Sequence, residues 1–255
     1  ASGWPPGGLG WPRVALLKYC HISLQDKGLS DADLALLGTL GSVLLSLDTL
    51  HLTECAASAA VTPNGVQRLA AGLGAGALPA LTYLGLGMHV GDAGASALAA
   101  ALGRGAMPQL KKLALPNCGL SDTGLIALVP GLWARPELVF LNFARNQIGD
   151  RSIAALVAPP PPPPAGARTP PIGVLSSLTT LNLDSTEITD VGCAALAAAL
   201  DRDRLSALET LRIIGIPASL HSTNATLQSV LNQLATLARG GEGSTVVARR
   251  VISAT

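Results

Sequence analysis

Leu110-Lys111-Lys112-Leu113-Ala114-Leu115-Pro116-Asn117-Cys118-Gly119-Leu120-Ser121-Asp122-Thr123-Gly124 opens as a strand and closes as a helix start. Leu113 and Leu115 alternate around Ala114, so the two leucines face one side of a short strand and Ala114 the other. Cys118 marks a turn. Leu120 through Gly124 then supplies an acidic residue at a helix N-terminus, where free N–H groups favour it. The spacing is L-x-x-L-x-L-x-x-(N/C)-x-L, and it recurs. Leu138, Leu141, Phe143, Asn146 and Ile148 keep it, as do Leu178, Leu181, Leu183, Thr186 and Ile188. Leu47-Leu50-Leu52-Cys55 and Leu81-Leu84-Leu86 keep its first half, and Leu208-Leu211-Ile213-Ile216 is a degenerate copy. Val14, Leu17, Tyr19, Ile22 and Leu24 fit less well and are expected to form the first copy.

The helix-start phrase echoes as well. Leu120–Gly124 returns as Ile188–Gly192, Val90–Gly94 and Leu24–Gly28, and more loosely as Ile148–Ser152 and Val61–Gly65. Asp92, Asp122 and Asp190 are expected to cap their own helices. Leu98, Ala101 and Leu102, and again Ala195, Leu196, Ala199 and Leu200, then form inner helical stripes. Unit starts at 14, 47, 81, 110, 138, 178 and 208 give a natural period of 28–30 residues. Self-similarity at such a period is the signature of a repeat array. The expected architecture is an α/β right-handed solenoid of about seven repeats, with a concave parallel sheet and convex helices.

Composition bounds the function. Hydrophobic residues are 49% but aromatics only 3%, so Leu, Ala and Val must build the core. Charged residues are 13%, about half the roughly 25% usual for soluble domains. The net charge of +1 gives no basic excess for nucleic acid and no acidic excess for a cationic partner. Cys20, Cys55, Cys118 and Cys193 are far apart and form no CxxC pair, so reduced intracellular thiols are expected. The longest uncharged apolar stretch, Leu34–Leu47, is 14 residues, short of the roughly 20 a membrane-spanning helix needs. The chain starts at Ala1 without a signal-peptide pattern at that end.

Three segments depart from the array. Residues 1–13, with Trp4, Trp11 and three prolines, are expected to be an N-terminal cap or extension. Pro159–Pro164 and Pro170-Pro171 mark an insertion at 158–173 within the array of 14–237. Polyproline II is the conformation such a run favours, and it can dock on aromatic grooves. After a helix expected at Asn224–Arg239, residues 238–255 form a tail or second cap.

No catalytic phrase appears. His21, His51, His89 and His221 lack metal-ligand spacing. Gly72-x-Gly74-x-Gly76 lies between a helix and a following strand, the reverse of a phosphate loop. No catalytic residue, cofactor or metal is expected. Asn224-Ala225-Thr226 reads as a helix start rather than a glycosylation site.

The strand phrase, the Asn/Cys position and the (I/L)-x-D-x-G helix start together resemble the ribonuclease-inhibitor-like class of leucine-rich repeat proteins, over residues 14 to about 237. The resemblance implies that Asn146 bonds the backbone of neighbouring turns and that Cys55 and Cys118 are structural substitutes for it. Members of the class include cytosolic inhibitors, innate-immune sensors, actin-capping proteins, axonemal subunits and Ran GTPase-activating proteins. The last usually carry a long acidic tail; here the tail holds Arg249-Arg250 and no acidic run, and no catalytic arginine loop can be matched. The expected function is therefore a non-enzymatic protein-binding or scaffold subunit of a large assembly. The alternative is a regulator that docks a transient partner. The expected location is intracellular, cytoplasmic or cytoskeletal, the axoneme included. The face for a protein partner is expected on the outward strand positions Lys18, His51, Tyr83, Lys112, Phe140, Asn142, Asp184 and Arg212, with Glu54 and Arg145 at strand ends. Its mix of aromatics and both charge signs suits a protein better than a polyanion.

Overall fold

The computed structural model describes residues 20–54, 61–158, 175–202 and 204–217. Lys18, Cys55, the 1–13 extension, the polyproline run, the 224–239 helix and the 238–255 tail lie outside them.

Among the described residues, seven strands alternate with six helices: β1 His21–Gln25, α1 Asp31–Leu40, β2 Thr49–Thr53, α2 Pro63–Gly72, β3 Tyr83–Gly87, α3 Gly91–Gly103, β4 Lys112–Ala114, α4 Asp122–Trp133, β5 Phe140–Asn142, α5 Asp150–Val157, β6 Thr180–Asn182, α6 Asp190–Asp201 and β7 Thr210–Arg212. The strands are all parallel and lie in chain order in one sheet. Every crossover is thus a βαβ unit, and such units take the right-handed sense. Parallel strands sit about 4.8 Å apart, whereas packed helices need roughly 8–10 Å. A sheet and a helix layer that advance together must therefore curve, with the sheet on the inside.

The core lies between the layers. Ile22, Leu50, Leu84, Leu113, Leu141, Leu181 and Leu211 stand in register across all seven strands, and each is buried. Leu98, Ala101, Leu102, Leu196, Ala199 and Leu200 meet them from the helices, as the periodicity required.

The first repeat is displaced from its expected place. Ile22, not Leu17, pairs in register with Leu50, so the first strand phrase lies five residues further on than expected. The first helix start is Leu29-Ser30-Asp31, and Leu24–Gly28, which imitates the phrase, is strand and turn instead. Strand starts are then 28, 34, 29, 28, 40 and 30 residues apart, so the first interval falls into the common period.

Asparagine 146 is the central fastener. Its Nδ2 donates to the carbonyls of Leu115, Phe143 and Ala144 at 2.8, 2.8 and 3.2 Å. Its Oδ1 accepts from the N–H groups of Cys118 and Leu120 at 3.0 and 3.1 Å. One buried amide thereby satisfies backbone groups of two successive repeats, which would otherwise be stranded where the chain turns. Cys118, one repeat earlier, donates its thiol to the Leu86 carbonyl at 3.0 Å, and Thr186, one repeat later, donates to Leu183 O at 2.7 Å.

Asp92 and Asp122 do not cap their own helices as expected. Ser30, Thr62, Ser121 and Thr189 do that, accepting from the N–H groups of Asp33, Asn64, Thr123 and Val191. Each of four helix-start aspartates reaches forward instead. Asp31 accepts from Thr62 N and Oγ1 at 2.8 and 2.6 Å. Asp92 accepts from Ser121 N and Oγ at 2.8 and 2.5 Å. Asp122 accepts from Gly149 N at 2.7 Å, and Asp150 from Thr189 N and Gly192 N at 2.7 and 2.8 Å. At the opposite helix end arginines reach backward. Arg104 donates to Ala70 and Leu73 carbonyls, Arg135 to Leu102, Ala106 and Met107, and Arg204 to Val157. Carboxylates thus sit at helix N-termini and guanidiniums at C-termini, the signs that the helix dipole favours. Pro63 stands where the other copies have the helix-start Asp, so α2 sends no such carboxylate to α3. Val90 opens α3 without a side-chain cap bond.

Candidate protein-binding face

The outward strand positions form two registered rows. His21, Thr49, Tyr83, Lys112, Phe140, Thr180 and Thr210 make the first; Ser23, His51, Gly85, Ala114, Asn142, Asn182 and Arg212 make the second. Tyr83, Lys112 and Phe140 are direct neighbours, with the exposed lysine between two half-buried aromatics. Gly85 is small because its neighbours occupy the space. A Cβ there would meet His51 Cδ2 at 2.7 Å and the Tyr83 hydroxyl at 2.8 Å. Tyr83 can therefore lie down over the sheet, edge-on to the His51 ring at a centroid distance of 6.0 Å. Thr53 Oγ1 lies 3.1 Å from His51 Nε2. Desolvation, and then the neighbouring His21, hold the His51 imidazole below its ordinary pKa, and desolvation raises that of the Tyr83 phenol. Ala114 points outward as expected but is shielded by its larger neighbours.

The expected site residues divide into three kinds. His51, Tyr83, Lys112, Phe140, Asn142 and Arg212 share the sheet face, and Arg145 is exposed at the rim beyond β5. Lys18 lies outside the described residues. Glu54 and Asp184 are turned to internal work. Glu54 is 7% exposed, and its Oε1 accepts from Leu29 N at 2.9 Å, the same kind of bond that Asn146 makes to Leu120. It therefore leaves the partner face. Asp184 accepts from Arg212 Nε at 2.8 Å and from Ile214 N at 2.8 Å, and its side chain is only 14% exposed. Sequence reasoning did not include Asn182, which stands beside Asn142 in the second row; the outward parity of β6 was the signal that could have found it.

Burial makes the thiols inert. It pushes Cys118 up to about 12 and Cys193 up to about 11, the latter helped by Asp190 and Asp150. The thiolate is the nucleophile, so neither reacts at mildly alkaline pH while the array is folded. Iodoacetamide should label the exposed Cys20 in the native chain and reach Cys118 and Cys193 only after denaturation, as read by peptide mass mapping. Native labelling of Cys118 at the rate of Cys20 would contradict this packing. Among the described residues, no group of three or more His, Cys, Asp or Glu could hold a metal ion. No described helix is long and apolar enough to cross a membrane.

Residues 107–129 and 174–197 match the family model described as Leucine Rich repeat. Together with seven parallel strands alternating with helices, these matches define a leucine-rich-repeat α/β solenoid. Domains of this family generally mediate protein–protein interaction and are typically non-enzymatic. A comparison with curated proteins gives no match.

Proposed function

We propose that this chain, a leucine-rich repeat protein, is a non-enzymatic protein-binding module that receives its partner on the concave sheet and works as a subunit of a larger assembly. The observation that carries this reading is the open row Tyr83–Lys112–Phe140, two aromatics flanking a lysine on a face that the chain's own described elements leave uncovered. Aromatic residues at the centre of a surface are typical binding anchors. The charge balance supports the assembly role. Only 13% of the chain is charged, and Asp31, Asp92, Asp122, Asp150, Arg104, Arg135 and Arg204 point at neighbouring repeats. Little charge remains to keep an isolated chain apart from others. Helices of 8 to 13 residues in the crossovers favour the ribonuclease-inhibitor-like class. No described feature favours GTPase activation.

Tyr83→Ser/Phe140→Ser tests the reading, since both side chains are outward and half-exposed. The variant should keep its melting temperature within a few degrees. It should lose the proteins that the unaltered chain retains from native extract at high salt. Recovery of the same proteins by both forms would exclude the concave face. A monodisperse, highly soluble monomer with no retained protein would exclude the assembly.

A further inference from the structure

We infer that the half of the concave face formed by β4–β7 is a receptor for carboxylates, built for an extended acidic segment of the partner protein. The inference rests on the concave face being the docking surface and adds the partner's chemistry. Its basis is the direction in which each polar group is turned. Asn142 Oδ1 accepts from Ala144 N at 3.0 Å, and Asn182 Oδ1 accepts from Asp184 N at 3.0 Å. The acceptor end of both amides is thereby occupied at home. Their NH2 ends make no hydrogen bond to the described residues. Both oxygens of Asp184, the only carboxylate among these outward positions, are held by Arg212 and Ile214 N. Lys112 and Arg145 are exposed and have no ion pair among the described residues. Lys112, Asn142, Asn182 and Arg145 therefore offer N–H donors, and no free carboxylate among the described outward positions answers them.

Arg145 adds a second, independent observation. The chain turns after the strand through a left-handed residue in five of the described repeats: Asp26, Asn117, Arg145, Ser185 and Gly215, with φ of 49°, 53°, 59°, 55° and 73°. Asn and Asp tolerate this conformation best, and a long side chain gains nothing there. An arginine at this place strains the backbone and sets a guanidinium on the rim. Leu78 and Met107 take the same conformation with buried side chains that serve the core, whereas the Arg145 side chain is exposed.

The spacing defines the ligand further. Lys112 neighbours Phe140, and Arg145 lies five residues beyond Phe140 along the chain, at most roughly 16 Å away. An extended segment lying along β5 would place acidic side chains at both ends and apolar ones over Phe140 and Ala144. A nucleic acid fits less well, because polyanion binding draws on many phosphate contacts and this face offers two unpaired cations.

Selection of a phage-displayed random peptide library on the full chain tests the inference, followed by anisotropy titration of the recovered peptides. The recovered peptides should be rich in Asp and Glu around an apolar centre. Lys112→Gln should weaken their binding about tenfold, the value of one charge-assisted hydrogen bond. Arg145→Asn should also weaken binding while raising the melting temperature, because it relieves the left-handed strain; a purely structural Arg145 would give the second effect without the first. Peptides lacking acidic residues that still lose binding in Tyr83→Ser/Phe140→Ser would overturn the carboxylate receptor and leave the concave docking face standing. Peptides indifferent to all these substitutions, or no enrichment, would overturn both. Tighter binding of a labelled uridine oligonucleotide, lost in Lys112→Gln, would replace the acidic peptide by RNA.

Discussion

Asn146→Ala should lower the unfolding free energy by about 3–5 kcal/mol, read by urea titration. The amide is 5% exposed and serves five backbone groups: three carbonyls and two N–H groups. Each buried group left without a partner costs about 1–3 kcal/mol, and local relaxation or entering water recovers part of the sum. Asn146→Asp separates the two halves of the role. It keeps the acceptor for Cys118 N and Leu120 N but turns a carboxylate oxygen towards the three carbonyls. Burial and those carbonyls raise the pKa of the introduced carboxyl in the folded state above its unfolded value of about 3.9. The folded form then holds the extra proton, so stability falls as pH rises from that unfolded value to the folded one. The Asn146→Asp variant should therefore be nearly as unstable as Asn146→Ala at neutral pH and approach the unaltered chain on acidification. An Asn146→Ala variant that unfolds with the unaltered chain would remove Asn146 from its central place.

Gly124→Ala should cost about 2–4 kcal/mol, whereas Gly103→Ala should gain up to about 1 kcal/mol. Both are helical glycines, and alanine is the better helix former. The difference lies in the neighbouring repeat. A Cβ on Gly124 would overlap the Asp92 carboxylate that holds Ser121, while a Cβ on Gly103 meets nothing within 4 Å. Gly65 faces Asp31 and Gly192 faces Asp150 in the same way. The glycine of the D-x-G phrase thus answers the aspartate of the previous copy rather than the one two residues before it. Equal melting temperatures for the two variants would refute the contact.

The repeat, its strand parity and its buried leucines were legible because they depend on periods of two and about 28. The register of the first repeat was not, because Asp26-x-Gly28 reproduces the phrase by coincidence. The true first helix start has Asp33 in place of glycine. No described helix precedes α1, no described carboxylate reaches this position from before it, and Asp33 closes a capping box with Ser30. The arginine contacts were hidden by drift. Arg104, Arg135 and Arg204 follow their helix-start aspartates by 12, 13 and 14 residues, so no fixed spacing marks them. On the partner face the positions were legible from parity, but the fates of Glu54 and Asp184 were not. A carboxylate's availability depends on which backbone N–H lies within reach, and that is set between repeats.

The forward carboxylates and backward guanidiniums also bear on how such a chain can lengthen. Asp122 and Arg135, on one repeat, fasten in opposite directions, to α5 and to α3 and the turn after it. A gene duplication copying one strand-to-strand interval, such as the 28 residues from Lys112 to Val139, would carry one fitting of each kind. Every new junction would then find its mate. Gain or loss of a fraction of a unit would leave a carboxylate or a guanidinium without its counterpart. The molecule thus carries a rule for its own inheritance: whole units can be gained or lost, and their size is set by the fasteners rather than by the core.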